Sequence, residues 1–407
     1  MIKKSFNYFS YSIVGSLVGI LSLPYLTRML SPEEFAYIGI MQVILFILIP
    51  FFGFQSVSLI GINKVKQSYD DFRTFRNSYI NFSIFMIVLL SIPLFLIVSF
   101  FFKKYMLLII LTYLIAICRH LIQIHNQEII QDGKASIFGQ LNLTNQLLAL
   151  SFTVICLSFV EMSWEGRLLS LLLADLLLST IRLYFFSDIV INYNILIDKI
   201  QIKEIVFYGL PLFIALFASW ITFEFDKLIV NHFFSLELVG LYTVAYTIGA
   251  SLNIVNQSVR NAYVPRLRME LSSGRGINLM KKFQIYYGLV IFTLALFLSI
   301  IFYFFDAFIL GEKYLGVWKI ISVVLFAYAF FGVYSGYGAI FEFYKLTVLK
   351  TKFVVLGAIM NLIISLSLLP FIDYLAPAVG TLASFVIILF VSYYFALNEL
   401  KTRGIIE

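Results

Sequence analysis

Residues 353–398 read FVVLGAIMNLIISLSLLPFIDYLAPAVGTLASFVIILFVSYYFALN, and Asp373 is the only charged residue among them. Divided at that aspartate, the stretch gives two uncharged runs, Phe353–Ile372 and Tyr374–Asn398. A helix needs roughly 20 apolar residues to cross a hydrocarbon core about 30 Å thick. Each run is therefore one crossing, and the chain reverses at Asp373. Toward the N-terminus the pattern recurs in Ser5–Thr27, Phe35–Asn63, Asn77–Phe102, Ala135–Val160, Ile205–Phe223, Leu238–Val259, Phe283–Phe305 and Ile320–Phe341. A soluble chain of 407 residues would not leave ten membrane-length stretches without a charge. This is a polytopic membrane protein.

Two more spans fill the gaps. Tyr105–Ile130 is apolar but carries Arg119, His120, His125 and Glu128, and Gly166–Phe186 carries Arg167, Asp175 and Arg182. Twelve crossings result. They are helices, because backbone groups in lipid must pair within the segment, and barrel strands would alternate over only about 10 residues.

Composition agrees. The chain is 61% hydrophobic and 13% charged, against about 25% charged in soluble domains. No segment is long enough for a separate soluble domain. The net charge of +7 is scattered through short connectors, which is a topology signal rather than a nucleic-acid groove. Cys118 and Cys156 lie inside apolar runs and imply neither disulfide nor metal. No GxxxxGK[ST] phosphate loop is present, so ATP hydrolysis within this chain is not expected, nor is a cofactor or an enzymatic reaction. Lys3 and Lys4 precede an apolar run too long for a signal peptide, and that run reads as the first retained helix.

Orientation follows from the connectors. The N-terminus, the C-terminus and the connectors after the even-numbered spans hold nineteen Lys and Arg residues, against five on the other side. Both termini are thereby expected in the cytosol.

The two halves echo one another. Ile2-Lys3 and Ile202-Lys203 each precede a helix, followed by a short outer turn of Ser-x-Glu, at Ser31 and Glu33 and again at Ser235 and Glu237. Six helices per half make a parallel repeat, with an axis along the membrane normal and a cavity between the halves. The expected fold class is all-α: twelve transmembrane helices in two six-helix lobes, 1–190 and 191–407, with pseudo-two-fold symmetry.

LTRMLSPEEFA at Leu26–Ala36, Asp226-Lys227 followed by SLELVGLYTVAY, and Arg260-Asn261-Ala262-Tyr263-Val264-Pro265 resemble the bacterial O-antigen and polysaccharide-unit flippases. These are the Wzx-like members of the multidrug/oligosaccharidyl-lipid/polysaccharide exporter superfamily. The resemblance spans the whole chain in length and layout, while its motifs are short. It implies a multi-pass protein of the bacterial inner membrane. Such a protein flips an undecaprenyl-diphosphate-linked oligosaccharide from the cytosolic to the periplasmic leaflet by alternating access, alongside polysaccharide polymerase or assembly proteins.

Ionisable groups at membrane depth are costly and usually face a cavity or a partner. Arg119 lies roughly 20 Å into its span at 1.5 Å per residue, and Arg182 at a similar depth. Two guanidiniums at one level are suited to a diphosphate, since arginine binds phosphate oxygens bidentately. Alternatively Arg182 pairs within its own helix, where Asp175, Ser179 and Arg182 share a face. Gln123 belongs to a polar stripe with Arg119, open either to substrate or to neighbouring helices. His125 beside it reads more readily as structural than as a titrating group.

In the seventh span Glu224 and Lys227 are neighbours one turn apart, free to neutralise each other. Asp226 is expected on the face of Ser219 and Thr222 as an ion-coupling carboxylate, with Asp175 and Glu224 as further candidates. The other reading puts this cluster at the headgroup level. Asn253, Asn256, Gln257 and Arg260 make a stripe descending to the cytosolic mouth. Arg28 ends the first span at the outer mouth, where it lines the path or snorkels to lipid phosphates. Pro24 and Pro50 are expected to kink their helices, and Gly15–Gly19 and Gly332–Gly336 to mark close packing. Two rival functions stand: a drug or cation antiporter, whose cavity should be carboxylate-rich, and a membrane-embedded polymerase or glycosyltransferase, which the short outer connectors disfavour.

Overall fold

The computed structural model of the chain describes residues 18–19, 21–186, 199–272, 276–344 and 346–402. The expectations for Lys3, Lys4, Gly15 and most of the first span lie outside these residues, as does the lobe boundary at 190/191. Among the described residues every regular element is helical, and nine helical stretches are long and apolar enough to cross a membrane.

In chain order these are α1 (Leu23–Met29), α2 (Pro32–Phe52), α3 (Ser58–Lys66), α4 (Tyr69–Phe101), α5 (Met106–Gln131), α6 (Ala135–Val154), α7 (Trp164–Phe186) and α8 (Lys199–Phe223). There follow α9 (Phe225–Phe233), α10 (Leu236–Ala250), α11 (Leu252–Ser272), α12 (Gly276–Leu310), α13 (Trp318–Phe343), α14 (Thr347–Ile372) and α15 (Ala376–Thr402).

The chain forms two compact units. The first includes Tyr37–Phe217, and the second joins Leu23–Ala36 to the chain from Ala218 onward. In the first, α5 packs on α7, α7 on α6, and α3 on α5. In the second, α13 is the central post, packed on α15, α12, α10 and α11. Its sequence suits that place: Ala327, Ala329, Gly332, Gly336, Gly338 and Ala339 are all buried, and small residues let neighbouring backbones close in. Asn256 and Gln284 occupy the space that a side chain at Gly332 or Gly336 would need.

Three expected spans are not continuous helices. The second stops at Phe52, two residues after Pro50, and resumes at Ser58. Between them Phe54 and Gln55 adopt left-handed φ of 49° and 55°, at a cost of roughly 1–2 kcal/mol each. The Gly53 carbonyl freed by the break accepts from Ser56 Oγ at 2.6 Å and from Tyr79 Oη at 3.4 Å. The seventh span breaks at Glu224 and the eighth at Ser251. Neither break has a proline, so nothing in the apolar pattern announces it.

The repeated Ser-x-Glu turns have a local cause. Ser31 and Glu34 form a reciprocal capping box, with Ser31 N donating to Glu34 Oε2 at 2.7 Å and Glu34 N to Ser31 Oγ at 3.3 Å. Ser235 likewise accepts from Leu238 N at 3.3 Å. Each serine satisfies an amide left without a partner at a helix start.

Candidate functional site

Two polar regions are built into the helices, one in each unit. In the first, Arg119 on α5 donates from Nε to Asp175 Oδ2 on α7 at 2.8 Å, and Asn145 on α6 donates to Asp175 Oδ1 at 2.8 Å. Two turns along α7, Arg182 donates to Asn126 Oδ1 at 2.5 Å, to Asn142 Oδ1 at 3.3 Å and to the Ile122 carbonyl at 3.3 Å. Asp175 and Arg182 do share a face of α7, yet each bonds across the helix interface instead, with Arg182 Nε left buried without a partner. The intrahelical pairing is therefore replaced by a three-helix seam. Arg182 is 2% exposed, while the Arg119 side chain keeps 33% of its surface. Gln123 sits half-buried on α5.

Nearer the α5 C-terminus, Glu128 meets Arg76 Nη1 at 3.3 Å and Lys64 at 3.8 Å. Lys64 also holds Asp132 at 2.7 Å. A small cavity of about 20 Å³ lies between this network and Arg182, lined by Ile80, Ile122, His125, Glu128 and Ser179 among others. Buried His120 bonds Ser83 at 3.0 Å through Nε2.

In the second unit an open cavity of about 670 Å³ is walled by Phe223, Phe331 and Phe385, with Ser219, Thr222, Tyr334 and Ser335 supplying hydroxyls. Phe331 and Phe385 lie 5.0 Å apart, and Phe223 meets Phe331 edge-on at 5.5 Å. Its two cations are Arg260 of α11 and Lys350 of α14. Both reach Glu342 Oε1 of α13 at 2.6 Å, while Arg268 approaches Oε2 at 3.4 Å. An aromatic wall with hydroxyls and a cationic corner can take a sugar face and an anion together.

Asp226 is not on that wall. Beyond the break at Glu224, Asp226 on α9 is 1% exposed and meets Tyr246 and Thr381. Tyr246 Oη donates to Asp226 Oδ2, and Thr381 Oγ1 approaches the same oxygen at 2.7 Å. Asn361 Nδ2 donates to Thr381 at 2.9 Å. Oδ1 of Asp226 is buried without a hydrogen-bond partner. Glu224 and Lys227 do pair, at 2.6 Å, with Lys227 3% exposed. The cluster is protein interior.

The remaining candidates are spread out. Asn256 is locked by the Tyr328 carbonyl at 2.9 Å and by Tyr287 Oη, while Gln257 is exposed, so the expected stripe on that helix divides. Exposed Arg28 donates to the Phe308 carbonyl at 3.1 Å. Sequence reasoning missed Asn142, Asn145, Tyr246, Asn361, Thr381 and Glu342. The first five are neutral and invisible to a scan for charge. Glu342 ended an uncharged run and passed as connector, although a charge immediately bounding a span is where a cavity mouth would lie.

The family described as polysaccharide biosynthesis protein matches residues 1–270. No curated protein matches the chain. Among solved structures, an inward-facing multidrug resistance MATE family transporter of the MOP superfamily is 13% identical, with 98% of each chain covered and a TM-score of 0.75. The lipid II flippase MurJ, in an inward closed conformation, is 16% identical over 97% of this chain and 87% of its own, with a TM-score of 0.70. An outward-facing MATE transporter is 13% identical, covering 98% and 96%, with a TM-score of 0.63. The fold is thus the all-α, multi-pass fold of these proteins, twelve helices in two lobes.

Proposed function

The chain belongs to the family of polysaccharide biosynthesis proteins, and on that premise we propose that it is a flippase for a lipid-linked oligosaccharide. The observation that carries the reading is the family match over residues 1–270 on a fold shared with a lipid II flippase. The substrate is an undecaprenyl-diphosphate-linked repeat unit, moved from the cytosolic to the periplasmic leaflet of a bacterial inner membrane. Both termini are cytosolic, the lobes divide near 190/191, and the partners are polymerase and assembly proteins of the same polysaccharide.

The second-unit cavity supports the reading by its chemistry. Sugar faces stack on aromatic rings, hydroxyls trade hydrogen bonds, and Arg260 with Lys350 offers charge to a phosphate. The lipid tail stays in the bilayer, where about 0.8 kcal/mol per CH₂ would be lost on exposing it to water. Arg119 and Arg28, both partly exposed, are secondary contacts along the path. Asp226 is the ion-coupling carboxylate, with Asp175 and Glu224 already engaged by Arg119 and Lys227.

Deletion of the chain in its host tests this. Lipid-linked repeat units should accumulate in the cytosolic leaflet while periplasmic polymer falls, and unchanged polymer would refute the flippase. The buried Asp226, together with the MATE likeness, favours one second reading: a cation-coupled drug exporter. That reading requires drug sensitivity, not polymer loss, on deletion.

A further inference from the structure

We infer that Glu342 is a resident counter-ion, which occupies the cationic corner of the second-unit cavity until an anionic headgroup displaces it. The inference rests on the flippase reading for its ligand, a diphosphate, but not for its geometry. Arg260 and Lys350 arrive from different helices and converge on one oxygen, Oε1, at 2.6 Å each; Arg268 approaches the other oxygen at 3.4 Å. Arg260 and Lys350 line the cavity, and both bond Glu342.

Three features make this carboxylate exchangeable rather than structural. First, three cations share one acid, and the two that line the cavity, Arg260 and Lys350, exceed Glu342 by one positive charge. A diphosphate supplies the missing negative charge and the bidentate oxygens that guanidinium prefers. Second, the corner is wet: the side chains of Arg260, Lys350 and Glu342 keep 30%, 29% and 23% of their surface. Partly hydrated pairs are weak and trade partners readily. Third, Glu342 lies in the last turn of α13, which ends at Phe343. The partial negative charge of a helix C-terminus opposes a carboxylate there. The cations alone hold Glu342 in place, and an anion that takes them releases it.

Glu342 then sets the affinity of the empty cavity. It keeps the corner from binding stray anions tightly, and its return on the far side of the cycle helps expel the product. The Lys350 connector is on the side that the positive-inside bias assigns to the cytosol, where a substrate would load.

The test is binding of inorganic pyrophosphate to the full chain in lipid nanodiscs, with thermal unfolding recorded for each variant. Relative to the native chain, E342Q should bind about three- to fivefold tighter, the worth of one partly exposed pair. E342D, which keeps the charge but shortens the reach, should bind about two- to threefold tighter, because its grip on the cations is looser. R260Q should lose most of the binding. E342Q binding no tighter than the native chain overturns the inference. Should E342Q not fold, E342D alone decides: equal or weaker binding overturns it. Pyrophosphate affinity ordered as expected, in a protein that moves no lipid-linked sugar, would retire the flippase reading and leave the counter-ion standing. Translocation with E342Q no tighter would do the reverse.

Discussion

Arg182 and Arg260 are the same side chain used for opposite ends. Arg182 is 2% exposed and spends its donors on two asparagine oxygens and a backbone carbonyl. Those acceptors are neutral and fixed by the helices that carry them, so the guanidinium serves as a bolt through three helices. Arg260 keeps 30% of its side chain in the open and pairs with a carboxylate on a helix end. The difference teaches that a charge in a membrane span does not announce a ligand site. What the charge is bonded to separates the two: fixed neutral dipoles at Arg182, and a partly exposed carboxylate at Arg260.

The comparison breaks most visibly at the scaffold arginine. Arg182→Met should cost about 2–3 kcal/mol, because it leaves the half-buried Asn126 and Asn142 oxygens without their donor. Thermal unfolding in detergent reads the loss, and a variant as stable as the native chain would make Arg182 dispensable. A smaller effect is expected at Asp175→Asn, about 1–2 kcal/mol, because Arg119 is partly exposed and water softens its loss of charge. Adding Arg119→Gln should return most of it, and a cycle with no coupling between the two would mean they do not act as a pair.

Smallest is the exposed end of the same network. Burial pushes the Asp132 carboxyl up, but hydrogen bonds from Lys64 and Lys134 outweigh it and hold the group below its ordinary value. A depressed carboxylate contributes stability that is complete above its unfolded pKa of about 3.9, and that stability is lost as pH falls through the lower folded value. Asp132→Asn should cost under about 1 kcal/mol at neutral pH. Its acid unfolding should be correspondingly shallower, and an unchanged acid limb would show that Asp132 adds nothing.

Much of this architecture is legible in the charge spacing. The uncharged runs locate the helices because lipid tolerates so few ions, and Asp373 is read correctly as a turn because one charge between two runs has nowhere else to go. The break at Gly53 falls where Pro50 predicts a kink, but those at Glu224 and Ser251 are not legible. At Glu224 the cause is tertiary, with Thr381 and Tyr246 drawing Asp226 around. The arginines stand out against apolar sequence and were easily nominated. Their partners were not, since Asn142, Asn145 and Thr381 look like ordinary polar filler until three helices are brought together. The Glu224–Lys227 pair was legible because its geometry is local.

The interruption at Glu224 has a mechanical corollary. Phe223 lines the cavity, and three positions later Asp226 is tied to Thr381 of α15. Between them the helical ladder is cut, and a single residue with φ of −126° joins two rigid rods. A displacement of Asp226 would therefore reach the cavity wall through one swivel, with no long lever to absorb it.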